Sequence, residues 1–158
     1  MAVVIRHVLT VAAAAVILPL GPYDIILLNT PRTPTAKGTA RLLWAQGPFG
    51  VSVTADGRAS YDVQVSLTGL PQPSTLGPYT TYVAWAATTN LDQWHRLGVV
   101  RNGSSTVGKI ELNKFMLVIT AEATATPAER KGPTVLHGIS PSGWLQSMVT
   151  HPLFRGVQ

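Results

Sequence analysis

Two short segments contain residue types that could do chemistry. The first, residues 103–109, matches the pattern G-x-x-x-x-G-K of phosphate-binding loops, in which backbone N–H groups and a lysine hold phosphate oxygens. Ile110 stands where that loop needs a serine or threonine for Mg²⁺, and the chain then alternates like a strand instead of starting a helix. We therefore predict a hairpin turn at 101–104 that leads into a strand.

The second segment, residues 138–143, places serines between glycines, as at the nucleophile of an esterase. Pro141 occupies a variable position of that motif, and the spacing of the glycines is wrong. We therefore expect no esterase, and we expect Ser142 to cap a short helix over residues 142–150.

Histidines and carboxylates are the remaining candidates for metal binding or acid–base catalysis. The histidines lack ligand-type spacing, and the 7 acidic residues are scattered singly. Cysteine is absent, which excludes disulfide frameworks and thiol catalysis. We therefore expect a protein that is not an enzyme and that takes no metal, no cofactor and no small-molecule substrate. The histidines are His7, His95, His137 and His151.

Composition indicates a single folded domain with a short appendage. The chain has 158 residues, of which 46% are hydrophobic and 12% charged, so disorder is excluded. The formal net charge is +5, but Lys and Arg occur mostly alone and no nucleic-acid recognition motif accompanies them. We therefore expect no nucleic acid, and attraction to anionic headgroups or to an acidic partner fits better.

The N-terminus predicts a membrane anchor. Arg6 and His7 precede an uncharged run at 8–20, a layout shared by signal peptides and retained anchors. The nearest small-x-small triplet, 38–40, lies about twenty residues beyond the run, which favours a retained transmembrane helix over a cleaved signal. A buried core helix or an N-terminal strand is the alternative. We assign the anchor to Val8, Val11, Ala12, Ala15, Val16, Ile17 and Leu18.

The anchor is short for a membrane span, because Pro19, Gly21 and Pro22 interrupt it. Residues 25–28 could extend it into the interfacial layer with Tyr23 as an aromatic anchor. Alternatively, the small residues let it pack closely against other transmembrane helices. The cation before the run predicts a single pass through the inner membrane, with the N-terminus cytoplasmic and the main domain periplasmic.

After the anchor, the sequence changes to a sheet pattern. We expect the anchor at 1–28, a Pro- and Thr-rich linker at 29–38, a sandwich at 39–140, and a C-terminal helix and tail at 141–158. Alternation at 61–68 is the clearest strand signal. The fold class is therefore all-β, an antiparallel sandwich of about 7–8 strands. The other predicted strands are 39–45, 49–53 with a turn at Asp56 and Gly57, 79–87, 94–100, 106–112, 115–121 and 133–137.

The C-terminal tail is apolar and aromatic, with residue types enriched at the centres of interfaces. Either the tail docks on a partner or its aromatic residues fold back to close the sandwich. The docking candidates are Trp144, Leu145, Met148, Leu153, Phe154 and Arg155.

Motifs between residues 79 and 138 resemble the extracytoplasmic β-sandwich domain of anti-sigma-K-type factors, a membrane-tethered family. Residues 82–85 look like that family's Y-x-x-W strand, 96–99 like its x-L-G-V strand, and 118–122 like its V-T-x-E strand. Residues 131–138 are similar to its closing G-P-x-V-L-x-G. The motifs are mostly fold-determining, so the resemblance implies the architecture of the outer domain more than an activity.

The resemblance stops before the cytoplasmic half of that family. Anti-sigma-K-type factors hold a sigma factor in a sizeable cytoplasmic domain, whereas about seven residues precede the apolar run here. We therefore expect a non-enzymatic accessory or scaffold subunit that contacts the lipid bilayer and integral membrane subunits of a larger complex. By analogy with small one-helix subunits, that complex is a bacterial photosynthetic reaction centre or light-harvesting complex. The alternative is a periplasmic sensor or ligand-binding module that uses loops such as 70–78.

Overall fold

The described part of this protein is built almost entirely of β-strands. The computed structural model describes residues 21, 23–47, 50–51, 60–112 and 114–141. Almost no helix occurs in these ranges, apart from a short 3₁₀ helix at Pro73–Leu76. The strands are β1 (Asp24–Asn29), β2 (Lys37–Trp44), β3 (Gln46–Gly47), β4 (Gly50–Val51), β5 (Tyr61–Thr68), β6 (Thr81–Ala87), β7 (Trp94–Val100), β8 (Gly103–Ile110), β9 (Met116–Glu122) and β10 (Thr134–Ile139).

Eight strands form one antiparallel sheet, which confirms the predicted all-β antiparallel class. The strand order is β7-β6-β9-β10-β1-β2-β5-β8, and β3 pairs with β4 separately. The ladder is continuous from one edge to the other, whereas we expected two sheets.

The sheet curls until its two edges, β7 and β8, almost meet. A Cβ atom on Gly98 of β7 would lie 2.8 Å from the carbonyl oxygen of Val107, and one on Gly108 of β8 would lie 2.8 Å from that of Leu97. The backbones therefore approach where neither strand carries a side chain. We call this meeting of β7 and β8 the seam.

The core lies inside the curled sheet. Val63, Val65 and Leu67 of β5 are buried, as the alternation at 61–68 predicts. Strands β6 and β9 are buried on both faces, so their sequences are almost continuously apolar. Phe115 and Leu117 are among the largest side chains in this core.

The sheet starts earlier in the chain than we predicted. One of our two alternatives placed residues 25–28 at the lipid interface, but they belong to β1, and Ile25 and Leu27 are buried in the core. The outward Ile26 and Leu28 are also apolar, which conceals the alternation of a half-buried strand. Residues 25–28 are therefore part of the sheet and do not extend the predicted anchor.

The predicted linker also differs, because residues 30–36 form a compact turn held on β10. The Thr33 hydroxyl is buried and donates a hydrogen bond to the Val135 carbonyl oxygen at 2.8 Å. The Thr30 hydroxyl donates to the carbonyl oxygen of Thr134 at 3.1 Å. Proline and threonine thus shape a turn between β1 and β2 here, where we expected an extended stalk.

Several predictions concern other parts of the chain. The anchor at 8–20, the turn at Asp56 and Gly57, the helix at 142–150 and the docking tail lie outside the described residues. Within the described residues, no helix is long and apolar enough to cross a membrane.

Candidate functional site

The near-match to a phosphate loop is a strand. Residues 101–102 join β7 to β8, and Gly103 begins β8 with a positive φ of 105°. Lys109 lies opposite Asp62 on the neighbouring strand β5. Because no helix follows, the backbone N–H groups of this segment do not converge on a phosphate position. The predicted strand is confirmed, but the predicted hairpin is not, because β7 and β8 lie at opposite edges of the sheet and are not hydrogen-bonded neighbours.

Ser140, the central serine of the second segment, has a structural role. It is buried just after β10, and its Oγ accepts a hydrogen bond from the backbone N–H of Phe115 at 3.1 Å. Its own N–H donates to the Phe115 carbonyl oxygen at 2.9 Å.

The two described histidines lie on separate strands. His95 is exposed on β7, and His137 is half-buried on β10. In the part of the chain that the structure describes, no three His, Asp or Glu side chains gather as metal ligands.

The motif residues that carry the family resemblance meet in one buried hydrogen-bond network. The indole N–H of Trp85 donates to the Thr120 hydroxyl oxygen at 2.9 Å, and that hydroxyl donates to a carboxylate oxygen of Glu122 at 2.7 Å. Both oxygens of this carboxylate accept the backbone N–H of Gly132 at 3.2 Å. The network therefore joins β6, β9 and the segment that leads into β10.

The loop at 123–133 is held from two sides. Glu122 and Gly132 close its base, and the Arg130 guanidinium lies 4.6 Å from the ring centroid of Trp94 on β7. A cation over an indole ring is an attractive contact. The buried carboxylate thus serves to fix a loop.

A cavity of about 440 Å³ opens between the loop after β5 and the turn between β7 and β8. The Tyr82 hydroxyl donates to the Pro71 carbonyl oxygen at 3.0 Å, and burial raises the pKa of Tyr82. The Asn102 amide accepts the Leu70 N–H at 3.0 Å and donates to the Leu70 carbonyl oxygen at 2.9 Å. The wall of the cavity is therefore held in place by hydrogen bonds within the protein. The lining also includes Gln72, Pro73, Thr80, Thr81, Val99, Val100 and Arg101.

A group of half-exposed aromatic rings lies at the opposite end of the sheet. Trp44 and Tyr61 are direct cross-strand partners with ring centroids 4.8 Å apart. Tyr23 lies 5.9 Å from Trp44 and 6.2 Å from Tyr61. Tyr23 remains 41% exposed and Trp44 40% exposed. We call these three residues the aromatic cluster.

The chain enters and leaves the sheet at this same end, which we call the entry end. Asp24 at the start of β1 pairs with Arg41, and Ile139 at the end of β10 pairs with Met116. Because every pairing in the sheet is antiparallel, the start of β1 and the end of β10 both lie at the end of the sheet that carries the aromatic cluster.

An ion pair fixes the chain where it enters. The Arg41 Nε lies 2.7 Å from the Asp24 carboxylate, which also accepts the Gly21 N–H at 2.7 Å. The hydrogen bond from Arg41 lowers the pKa of Asp24, and burial opposes this effect. Both charges are therefore paired.

Sequence reasoning identified Tyr23 alone among the members of the aromatic cluster. Trp44 and Tyr61 are separated in sequence by the segment 45–60, so their contact depends on the register of β2 and β5. Their signal in the sequence is that Tyr61 begins the alternating run at 61–68 and that Trp44 lies near the end of the predicted strand 39–45. Comparisons with protein-family models, curated proteins and solved structures found no match to this chain.

Proposed function

We propose that this protein is a non-enzymatic accessory subunit, anchored by residues 8–20, that stabilises a larger membrane protein complex from the periplasmic side. The observation that supports this most is that the start of β1 and the end of β10 lie at the same end of the sheet as the aromatic cluster. The apolar run before Tyr23 and the aromatic tail after Pro141 therefore start from one end of the domain. With the anchor and the tail at one end, the β-sheet domain could be held against a membrane protein complex by that end.

The polar groups of the candidate sites also favour contact over catalysis. Ser140 binds Phe115, and Glu122 binds Thr120 and Gly132, so these groups hold loops and strand ends. Among the residues that the structure describes, these groups form no set of nucleophile, base and oxyanion donors that would support a hydrolase.

The finer parts of the proposal come from the sequence. We propose that the curled sheet is a β-sandwich of the anti-sigma-K type behind a single transmembrane helix. The meeting of Trp85, Thr120, Glu122 and Gly132 supports this relationship, because motif residues that contact each other determine a fold together. A photosynthetic reaction-centre or light-harvesting complex is the proposed assembly, by analogy of build.

A periplasmic ligand sensor is the second candidate. The cavity beside Leu70 and Asn102 favours it, because this cavity lies in the loop region assigned to ligand recognition. In the tethered arrangement it would face away from the membrane, where a soluble ligand has access.

Gentle purification from native membranes tests both functions. The tagged chain should bring integral membrane subunits at fixed stoichiometry, and the variant Trp144→Ser with Phe154→Ser should lose them. A matched control, Ser74→Ala with Thr126→Ser, changes exposed polar residues elsewhere and should retain them. Migration of the unaltered chain as a lone monomer in mild detergent would overturn the subunit proposal. A soluble ligand that protects residues 70–73 from hydrogen exchange would favour the sensor.

A further inference from the structure

We propose that the entry end of the sheet rests in the headgroup layer of a lipid bilayer, with the aromatic cluster as its interfacial anchor. This inference rests on the proposed tether at residues 8–20, and it adds the surface of the domain that contacts lipid.

The short stretch of chain between the apolar run and the sheet limits how far the sheet can lie from the proposed membrane segment. Tyr23 follows Leu20 by three residues, and an extended chain covers at most about 3.6 Å per residue, or roughly 11 Å in total. The Asp24 N–H donates to the Gly21 carbonyl oxygen at 3.0 Å, and this turn shortens the reach further. The domain therefore begins at the end of the proposed membrane segment.

No spacer lifts the domain away from that segment. Residues 30–36, which we expected to form a stalk, are pinned to β10 through Thr33 and Val135. They also lie at the opposite end of the sheet, because β1 runs away from the entry end before the turn begins. The entry end must then be the part of the domain nearest to the bilayer.

The side chains at this end suit a headgroup layer. Tyrosine and tryptophan combine an apolar ring with a polar tip and are enriched at the membrane–water interface. Burial raises the pKa of Tyr61, and the neighbouring Tyr23 adds a smaller effect in the same direction. The phenol of Tyr61 therefore stays neutral at physiological pH. Asp24 and Arg41 at this end form an ion pair, and Asp62 beside Tyr61 lies opposite Lys109 on β8. Exposed apolar side chains at the entry end and in its loops are Leu43, Leu91 and Ile139.

Lipid explains these features better than a second protein does. An interface with a protein partner is usually apolar at its centre and polar at its rim. Here the half-exposed rings sit directly beside the chain that enters the proposed membrane segment, where the headgroup layer is already within reach. Contact with a protein remains a distinguishable result of the experiment.

Spin labels on single cysteines test the depth of the domain. The chain has no cysteine, so Leu43→Cys, Leu91→Cys and the far-end control Ser74→Cys each give one labelled site. The full chain is placed in phosphatidylcholine–phosphatidylglycerol vesicles, and collision rates with O₂ and with a neutral nickel chelate are measured. Labels at positions 43 and 91 should favour O₂ over the chelate severalfold relative to the label at 74.

The other outcomes distinguish a failure of lipid contact by the domain from a failure of the proposed membrane anchor. If the protein floats with the vesicles but all three labels collide equally with the chelate, the tether holds and lipid contact by the domain is wrong. If the entry-end labels are protected from both reagents, a protein covers this end and the inference is wrong. If the protein does not float, the tether and the proposed function fail together with the inference.

A matched pair of substitutions tests the role of the rings. Tyr23 precedes β1, so changing it leaves the strand pairings intact. With the label at position 43, Tyr23→Phe should keep the preference for O₂, and Tyr23→Ser should reduce it by at least half. Equal depth for the two variants would overturn the assignment of this ring as an anchor.

Discussion

The Glu122 carboxylate holds the backbone N–H of Gly132 with both of its oxygens, at 3.2 Å each. This contact joins the end of β9 to the segment before β10 and closes the base of the intervening loop. The approach is so close that a Cβ atom on Gly132 would collide with the Ala121 carbonyl oxygen. A buried carboxylate here therefore replaces the ladder hydrogen bonds that a short hairpin would supply.

Substitutions of Glu122 should destabilise the protein more when they remove more of the oxygens that accept hydrogen bonds from Thr120 and Gly132. Glu122→Ala leaves the Gly132 N–H and the Thr120 hydroxyl without this acceptor, so we expect a loss of about 2–3 kcal/mol in the free energy of unfolding. Glu122→Gln keeps one carbonyl oxygen and should lose about 1 kcal/mol. Urea denaturation in mild detergent measures both variants, and equal losses would contradict the acceptor role.

Replacing Thr120 should affect Trp85 in turn. Thr120→Val keeps the shape but removes the acceptor of the buried indole N–H, which should cost about 1–3 kcal/mol. Combined with Glu122→Gln, the losses should be non-additive by at least about 0.5 kcal/mol, because the two residues share one network. Thr126→Val, at an exposed loop position, is the control and should be nearly neutral. Strict additivity in this cycle would show that the two contacts are independent.

The seam predicts different costs for alanine at two glycines of β8. Gly103 and Gly108 both have positive φ, 105° and 141°, so alanine strains the backbone at each. A Cβ atom at Gly108 also meets the Leu97 carbonyl oxygen at 2.8 Å, whereas nothing lies within 4 Å of one at Gly103. Gly108→Ala should therefore cost about 1–3 kcal/mol more than Gly103→Ala. Thermal unfolding compares them, and equal midpoints would mean that the seam is loose.

The ion pair at the entry end predicts a pH dependence. Because Arg41 lowers the pKa of Asp24, the pair stabilises the fold above the unfolded-state pKa of about 3.9 and loses this effect as pH falls through the lower native value. Since the Arg41 side chain is 53% exposed, we expect about 1 kcal/mol or less. The difference in unfolding free energy between the natural protein and Asp24→Asn should be present at pH 7 and vanish near pH 2. A difference that persists at low pH would contradict it.

The predictable part of the fold is the part with a clear period. Strand β5 follows from alternation, because its buried Val63, Val65 and Leu67 are separated by polar residues. Strand β1 was missed because Ile26 and Leu28 are apolar although they are exposed, which joins this strand to the apolar run before it. Its outward face became recognisable only when the pairing with β2 and β10 was known.

The candidate sites depend on contacts between residues distant in sequence. The aromatic cluster requires Trp44 to lie opposite Tyr61, and that register follows from the whole length of β2 and β5. The motif residues were identified by resemblance, but the bond between Glu122 and Gly132 requires the path of the intervening loop. Periodicity reports which face of a strand is buried, and it carries no information on which distant residue covers that face.

The close approach of β7 and β8 also bears on how the protein behaves when it is crowded. The outer edge of a sheet offers a row of backbone groups to which another chain can add a strand, and such addition leads to swapped dimers and fibres. Here the two outermost strands shield each other at Gly98 and Gly108. This shielding should lower the tendency of β7 and β8 to pair with the strands of another copy.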